Sequence, residues 1–121
     1  MSSHDEKIAR FTQMLIEMKH DYLESFPHKI ATIKKFIAEE KWAELHDEYH
    51  KLKGTGKTYG FPEVSVVCEI LETLTMTRPV KDPEIFKKSS ELLDRMHQAY
   101  LQNQSFHLEQ DDFGRSLLAL K

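Results

Sequence analysis

His46, His50, Lys53, Gly54 and Lys57 recur at three- and four-residue steps in the stretch HDEYHKLKGTGK. On a helix turning ~100° per residue, the other four fall within about 60° of His50, so they share one face. An imidazole on an outer face is a nucleophile when one ring nitrogen is tied by a hydrogen bond and the other is left unprotonated. Lys53, one turn from His50, is placed to neutralise an anion attached to that ring. Gly54, also one turn on, costs ~1 kcal/mol of helix propensity relative to Ala and removes side-chain bulk beside the histidine. The chemistry this pattern suits is the transfer of an anionic group to and from a ring nitrogen.

Three other patterns lack what their chemistry requires. Gly56-Lys57-Thr58 resembles the end of a phosphate-binding loop, but Lys51 stands where the leading glycine belongs and the stretch reads as helix, not strand and loop. His46 and His50 are spaced to hold a metal, yet Asp47 stands where a metalloprotease glutamate belongs and no third ligand follows. Asp112-Phe113-Gly114 matches a kinase metal-binding triplet without room for the rest of that machinery.

The elements that must position these residues are legible from composition and periodicity. The chain has 121 residues with only 4 Gly and 4 Pro, which argues against a many-stranded fold and for a few long helices. Seventeen basic residues against 20 acidic ones give a net charge of −3, so no global positive field invites nucleic acid. The single Cys68 excludes an intramolecular disulfide and fits a reducing compartment. No run approaches the ~18 apolar residues a membrane span needs, and MSSHDEKIAR lacks the apolar centre of a signal peptide. A cytoplasmic location is expected. The chain is too short for a kinase catalytic domain, so any phosphate chemistry must use phosphate supplied by another protein.

Apolar residues from Phe11 through Leu15, Met18 and Tyr22 predict one helix, and Phe26, Ile30, Ile33 and Ile37 a second, with Pro27 as a break or kink and Ser25 as a candidate cap. Trp42, Leu45, Tyr49, Leu52, Gly56 and Tyr59 mark the clearest helix, ending at Gly60-Phe61-Pro62. Gly56 and Gly60 fall toward its apolar side, where they permit close packing, and Gly60 also ends the helix. Pro62 opens the next helix, with Val64, Val67, Cys68, Leu71 and Leu74, stopping before Thr77-Arg78-Pro79. After a short loop, Asp82-Pro83-Glu84 opens the last long helix, through Phe86, Leu92, Leu93, Met96, Ala99 and Tyr100. The fold class predicted is all-α, an antiparallel four-helix bundle over residues 1–106 with an additional N-terminal helix. Residues 107–121, interrupted by Gly114, form a short helix or a mobile end. His4, His20, His28, His46, His97 and His107 read by default as surface residues.

If the third and fourth helices make a hairpin turning at Phe61, His50 lies as far before the turn as Glu72 lies after it. Glu72 then accepts a hydrogen bond from His50 Nδ1 and leaves Nε2 outward as the nucleophile. By the same arithmetic Glu69 matches Lys53.

His50-Lys51-Leu52-Lys53-Gly54, followed by Gly60, resembles the H-x-x-K-G signature of the histidine-containing phosphotransfer (HPt) domain family. The resemblance runs from Trp42 to about Leu74 and includes the Gly-Phe-Pro turn and the Leu71-Glu72 pair. It implies that His50 is the phosphoacceptor, Lys53 the phosphate-stabilising cation and Glu72 the group that orients the imidazole. Gly54 becomes clearance for a partner that docks over His46, Gly54 and Lys57, and Gly60 keeps a structural role. Some relatives carry an Arg where Met76 stands, which shifts the work to Lys53, helped by Lys57. The partners implied are receiver domains of response regulators or hybrid histidine kinases, in reversible transfer from and to their aspartates, with no cofactor or metal held by this chain. A monomer is expected. The alternatives are a bundle that binds partners without being phosphorylated, and the phosphoacceptor domain of a chemotaxis-type kinase system.

Overall fold

The computed structural model describes residues 3–77 and 82–121. Among the described residues five α-helices follow in order, α1 (Ser3–Ala38), α2 (Trp42–Thr58), α3 (Pro62–Thr75), α4 (Glu84–Leu101) and α5 (Asp112–Leu118), with a 3₁₀ turn at Leu108–Gln110 before the last. No strand occurs among the described residues. None of their helices is long and apolar enough to cross a membrane. The bundle is α1 to α4. The α2–α3 pair makes its most extensive contact, α1 packs on α4 and α2, and α5 closes against α3 and α4. Its core runs through Phe26, Ile33, Leu45, Tyr49, Leu71, Phe86, Leu92 and Met96, all nearly solvent-free.

The two helices expected before residue 40 are one. Helix α1 continues through Pro27, which lies inside it. Proline removes the N–H that residue 27 would donate to the carbonyl of Leu23, and in a helix interior that loss usually kinks or breaks the chain. Here His97 of α4 takes over the role, with its Nε2 2.9 Å from the Leu23 oxygen. Because a carbonyl only accepts, the His97 Nε2 carries the proton. The ring is 6% exposed and stacks on Phe26 at a centroid distance of 5.5 Å, so His97 is an interior residue and not a surface one. Ser25 does not cap a helix start; its hydroxyl donates back to the Tyr22 carbonyl at 2.8 Å. What separates the halves of α1 is burial. Ser3 to Asp21 is exposed at every position, whereas Tyr22, Phe26, Ile30, Ile33 and Ile37 face the core.

Helix α2 is closed off by Gly60, two residues past its last turn, whose φ of +87° suits a residue without a Cβ. Phe61 N donates to Gly56 O at 2.7 Å and Gly60 N to Lys57 O at 3.5 Å, the paired bonds that close a helix around a left-handed residue. Pro62 then starts α3 in the position where a missing N–H costs nothing. Of these two glycines only Gly56 is closely packed: a Cβ there would lie 3.0 Å from Val64 Cβ and 3.1 Å from Ser65 Oγ, whereas one on Gly60 would meet Lys19 Nζ at 3.8 Å. Arg78 and Pro79, expected to follow α3, and the loop leading to Asp82 lie outside the described residues. At the start of α4, Asp82 Oδ1 accepts from Glu84 N at 3.2 Å.

Residues 107–121 contain the short helix α5, and Leu108 and Leu117 are part of the core. Asp111 organises this segment. Its carboxylate accepts from Gly114 N at 2.8 Å and takes two bonds from Arg95 of α4, at 3.0 and 2.9 Å. Burial raises the Asp111 carboxyl, but the Arg95 and Gly114 hydrogen bonds outweigh it and hold the group below its usual value. Gly114 does not interrupt the helix: it sits in the first turn, where a Cβ would fall 2.5 Å from the Leu108 carbonyl oxygen.

Candidate functional site

The apolar stripe of α2, Leu45, Tyr49, Leu52 and Gly56, faces the core and turns the opposite side of the helix outward. On that side His50 is 64% exposed. The close approach of α3 at Gly56 is reinforced beside it, because Ser65 Oγ donates to the Lys53 carbonyl at 2.5 Å. Ser65 is a positioning contact that helical periodicity does not reveal. Its only trace in the sequence is a small polar residue near the start of α3, opposite the small residues of α2.

This register brings Glu72 to His50. Glu72 Oε1 lies 2.7 Å from His50 Nδ1, and Oε2 lies 2.8 Å from Lys53 Nζ, so one carboxylate bridges the histidine and the lysine. The pairing of Lys53 with Glu69 expected from hairpin arithmetic is replaced by this bond. Long side chains on a helix lean toward its N-terminus, so the ammonium of Lys53 reaches back one turn, to the level of Glu72. The Glu72 backbone is held in turn, its carbonyl accepting from Thr75 Oγ1 at 2.6 Å.

The electrostatics follow from these contacts. The hydrogen bond from Lys53 is the main influence that holds the Glu72 carboxyl below the ordinary carboxylate value; partial burial opposes it and the bond from His50 adds to it. The same Lys53–Glu72 bond pushes the lysine ammonium above its ordinary value. Glu72 is therefore ionised at neutral pH and has no proton to give, so His50 Nδ1 is the donor of the 2.7 Å bond. In the neutral imidazole this leaves Nε2 with a free lone pair. Cys68, on the core side of α3, is fully buried, and burial pushes its thiol far up, away from any nucleophilic role.

His46 sits one turn before His50 with its ring nearly parallel, at 14° and a centroid distance of 6.5 Å, and its Nε2 is 3.6 Å from Glu72 Oε1. Gly54 is exposed, and a Cβ there would meet nothing within 4 Å, so nothing among the described residues requires a glycine at this position. Lys57 is exposed with no ion-pair partner within 4.0 Å among the described residues. Met76, at the C-terminal end of α3, is 68% exposed. No cluster of three or more His, Cys, Asp or Glu that could hold a metal ion occurs among the described residues.

On one surface of this helical bundle an exposed histidine, a carboxylate from the next helix and a lysine therefore meet. The family model for the Hpt domain matches residues 17–103, well over half of the chain, and the protein belongs to that family. Membership implies histidine phosphotransfer of the phosphorelay kind, in a module without a kinase catalytic domain. No curated protein and no solved structure matches the chain.

Proposed function

We propose that His50 Nε2 reversibly carries a phosphoryl group between aspartates of receiver domains, those of response regulators or hybrid histidine kinases. The observation that carries this reading is the 2.7 Å bond from His50 Nδ1 to an ionised Glu72, since it prepares the exposed Nε2 of a 64% exposed ring as the nucleophile.

In the forward step the Nε2 lone pair attacks the phosphorus of an aspartyl phosphate. The bond between phosphorus and the acyl oxygen breaks, and its electron pair leaves with the aspartate carboxylate. No proton has to move. The imidazole keeps its Nδ1 proton and becomes a cationic N-phosphoryl ring, whose positive charge faces the Glu72 carboxylate. Transfer to a second receiver aspartate reverses these changes. Such chemistry is mostly positioning and charge stabilisation, and the receiver supplies its own metal ion.

Lys53 has three donors, of which Glu72 engages one, and the others serve the phosphoryl oxygens. Lys57 adds positive charge one turn further on. Gly54 leaves the space a receiver needs to bring its aspartate to His50, with His46 and Lys57 at the edge of the docking surface. The protein is then a carrier, with both donor and acceptor supplied by other proteins in the cytoplasm.

The test is incubation with phosphorylated receiver domains, followed by detection of an acid-labile, alkali-stable label. Wild-type protein is expected to take up label and His50→Gln none. Absence of label with every cognate receiver and kinase would leave the bundle as an interaction module, and label from a kinase catalytic domain alone would make it a chemotaxis-type phosphoacceptor.

A further inference from the structure

The N-terminal half of α1 is an exposed helix. Residues 3–21 are exposed throughout, yet they carry Ile8, Phe11, Met14, Leu15, Ile16 and Met18, each between 37% and 58% exposed. A contiguous apolar face of this kind on an exposed helix segment marks an interaction site. Ile8, Phe11, Leu15, Met18 and Tyr22 alternate steps of three and four, the spacing of a coiled-coil seam, and this seam continues the stripe that enters the core at Tyr22.

We infer that this face pairs with the same face of a second copy of the chain, antiparallel, with Ile8 against the partner's Met18 and Phe11 against the partner's Leu15. The proposal is independent of the phosphotransfer reading, and it replaces the monomer expected from the sequence. Two observations select the occupant and the direction. First, a parallel pairing is sterically closed. From Tyr22 onward the seam side of α1 is covered by its own bundle, so two parallel copies would have to place their bundles in the same space. An antiparallel pairing puts the bundles at opposite ends.

Second, the charges beside the seam complement each other only in the antiparallel arrangement. Lys7, Met14 and Asp21 line one flank, and Asp5, Thr12 and Lys19 the other. In an antiparallel pair each flank meets its own copy. Lys7 then faces the partner's Asp21, a contact that occurs twice, while Met14 and Thr12 meet themselves at the centre. In a parallel pair Lys7 would face Thr12 and Met14 would face Lys19, with no ion pair. A lipid surface is a poorer match, because Asp5, Glu6, Glu17 and Asp21 outnumber Lys7, Arg10 and Lys19 over residues 3–21. His50 lies ten residues before Gly60, ~15 Å along α2 from the end of the bundle where α1 emerges, so pairing leaves the site open.

The test is the mass of the full chain in solution, by sedimentation equilibrium. Twice 14.2 kDa is expected, falling to 14.2 kDa in Leu15→Asp. Asp21→Lys turns two attractions into repulsions and is expected to weaken the dimer about tenfold. Lys7→Glu combined with Asp21→Lys restores it, without touching Lys19, which lies over the Phe61 ring. Met14→Cys is expected to cross-link two copies on oxidation and Ile8→Cys is not; the native Cys68 is buried and does not interfere. A single-chain mass at all concentrations overturns the proposal, as does a dimer that survives Leu15→Asp or cross-links through Ile8→Cys. A monomeric wild type whose receiver binding is lost in Leu15→Asp would assign the face to the receiver instead.

Discussion

Two histidines in this bundle are each held by one hydrogen bond to an oxygen, with opposite results. His50 on α2 binds a carboxylate through Nδ1 and its side chain stays 64% exposed, leaving the ring open to an outside partner. His97 on α4 binds a carbonyl through Nε2, is 6% exposed and stacks on Phe26, so its ring is committed to the interior. The difference lies in what each ring serves. At His50 the bond fixes an exposed ring, the one the proposed function offers to an outside reactant; at His97 the ring replaces a backbone bond that Pro27 removed. Residue type alone does not assign the role. The acceptor and the solvent access of the second nitrogen do.

The comparison breaks most sharply under substitution of the histidines themselves. His50→Gln is expected to lose all phosphoryl transfer and leave the unfolding midpoint unchanged. His97→Ala is expected to cost about 2–4 kcal/mol, from the cavity beside Phe26 and the orphaned Leu23 carbonyl, with His50 still competent; denaturant unfolding measures it. A double-mutant cycle sharpens the assignment: Pro27→Ala restores an N–H for Leu23 O, so His97→Ala should cost about 1 kcal/mol less in that background.

Smaller effects test the groups around His50. Glu72→Ala removes the bond that fixes the ring and is expected to slow transfer about tenfold without unfolding the bundle. An unchanged rate would show that the bond does not orient the nucleophile. Gly54→Gln should raise stability by about 0.5 kcal/mol, since the position is open, while weakening receiver binding. The pH dependence is the smallest signal. Because the Glu72 carboxyl is held below its ordinary value of 4.5, its contribution to stability is fully present above that value and is lost as the pH falls through the lower, folded one. Lys53, raised above 10.5, contributes below that value and loses its contribution as the pH rises through the higher, folded one. An NMR titration of the Glu72 carboxyl should place its midpoint below 4.5, and Lys53→Met should move it upward.

The legible parts of the fold are those governed by local rules. The stripe from Trp42 to Tyr59, the left-handed Gly60 and the Pro62 start define a two-helix hairpin, and a hairpin has a register that simple distance along the chain recovers. That is why Glu72 could be matched to His50 from spacing. The same arithmetic misassigned Lys53, because it locates backbones at equal heights and ignores the lean of a long side chain toward the helix N-terminus. Pro27 and the two apolar stretches around it read as two helices, since nothing nearby in sequence can replace the missing N–H; the replacement comes from His97, 70 residues later. Leu108, Asp111 and Gly114 likewise acquire meaning only through Arg95 and the core they close.

The sequence by itself determined the helical class, the outward face bearing His50, Lys53, Gly54 and Lys57, and the hairpin that carries Glu72. Each depends on periodicities and turn chemistry within a few dozen residues. Tertiary structure alone decided which oxygen Lys53 holds, that α1 runs unbroken through Pro27, that His97 is interior, and that the first half of α1 emerges with its apolar seam uncovered. These outcomes depend on where distant helices end and how closely they approach. Packing sets those distances, and no local pattern contains them.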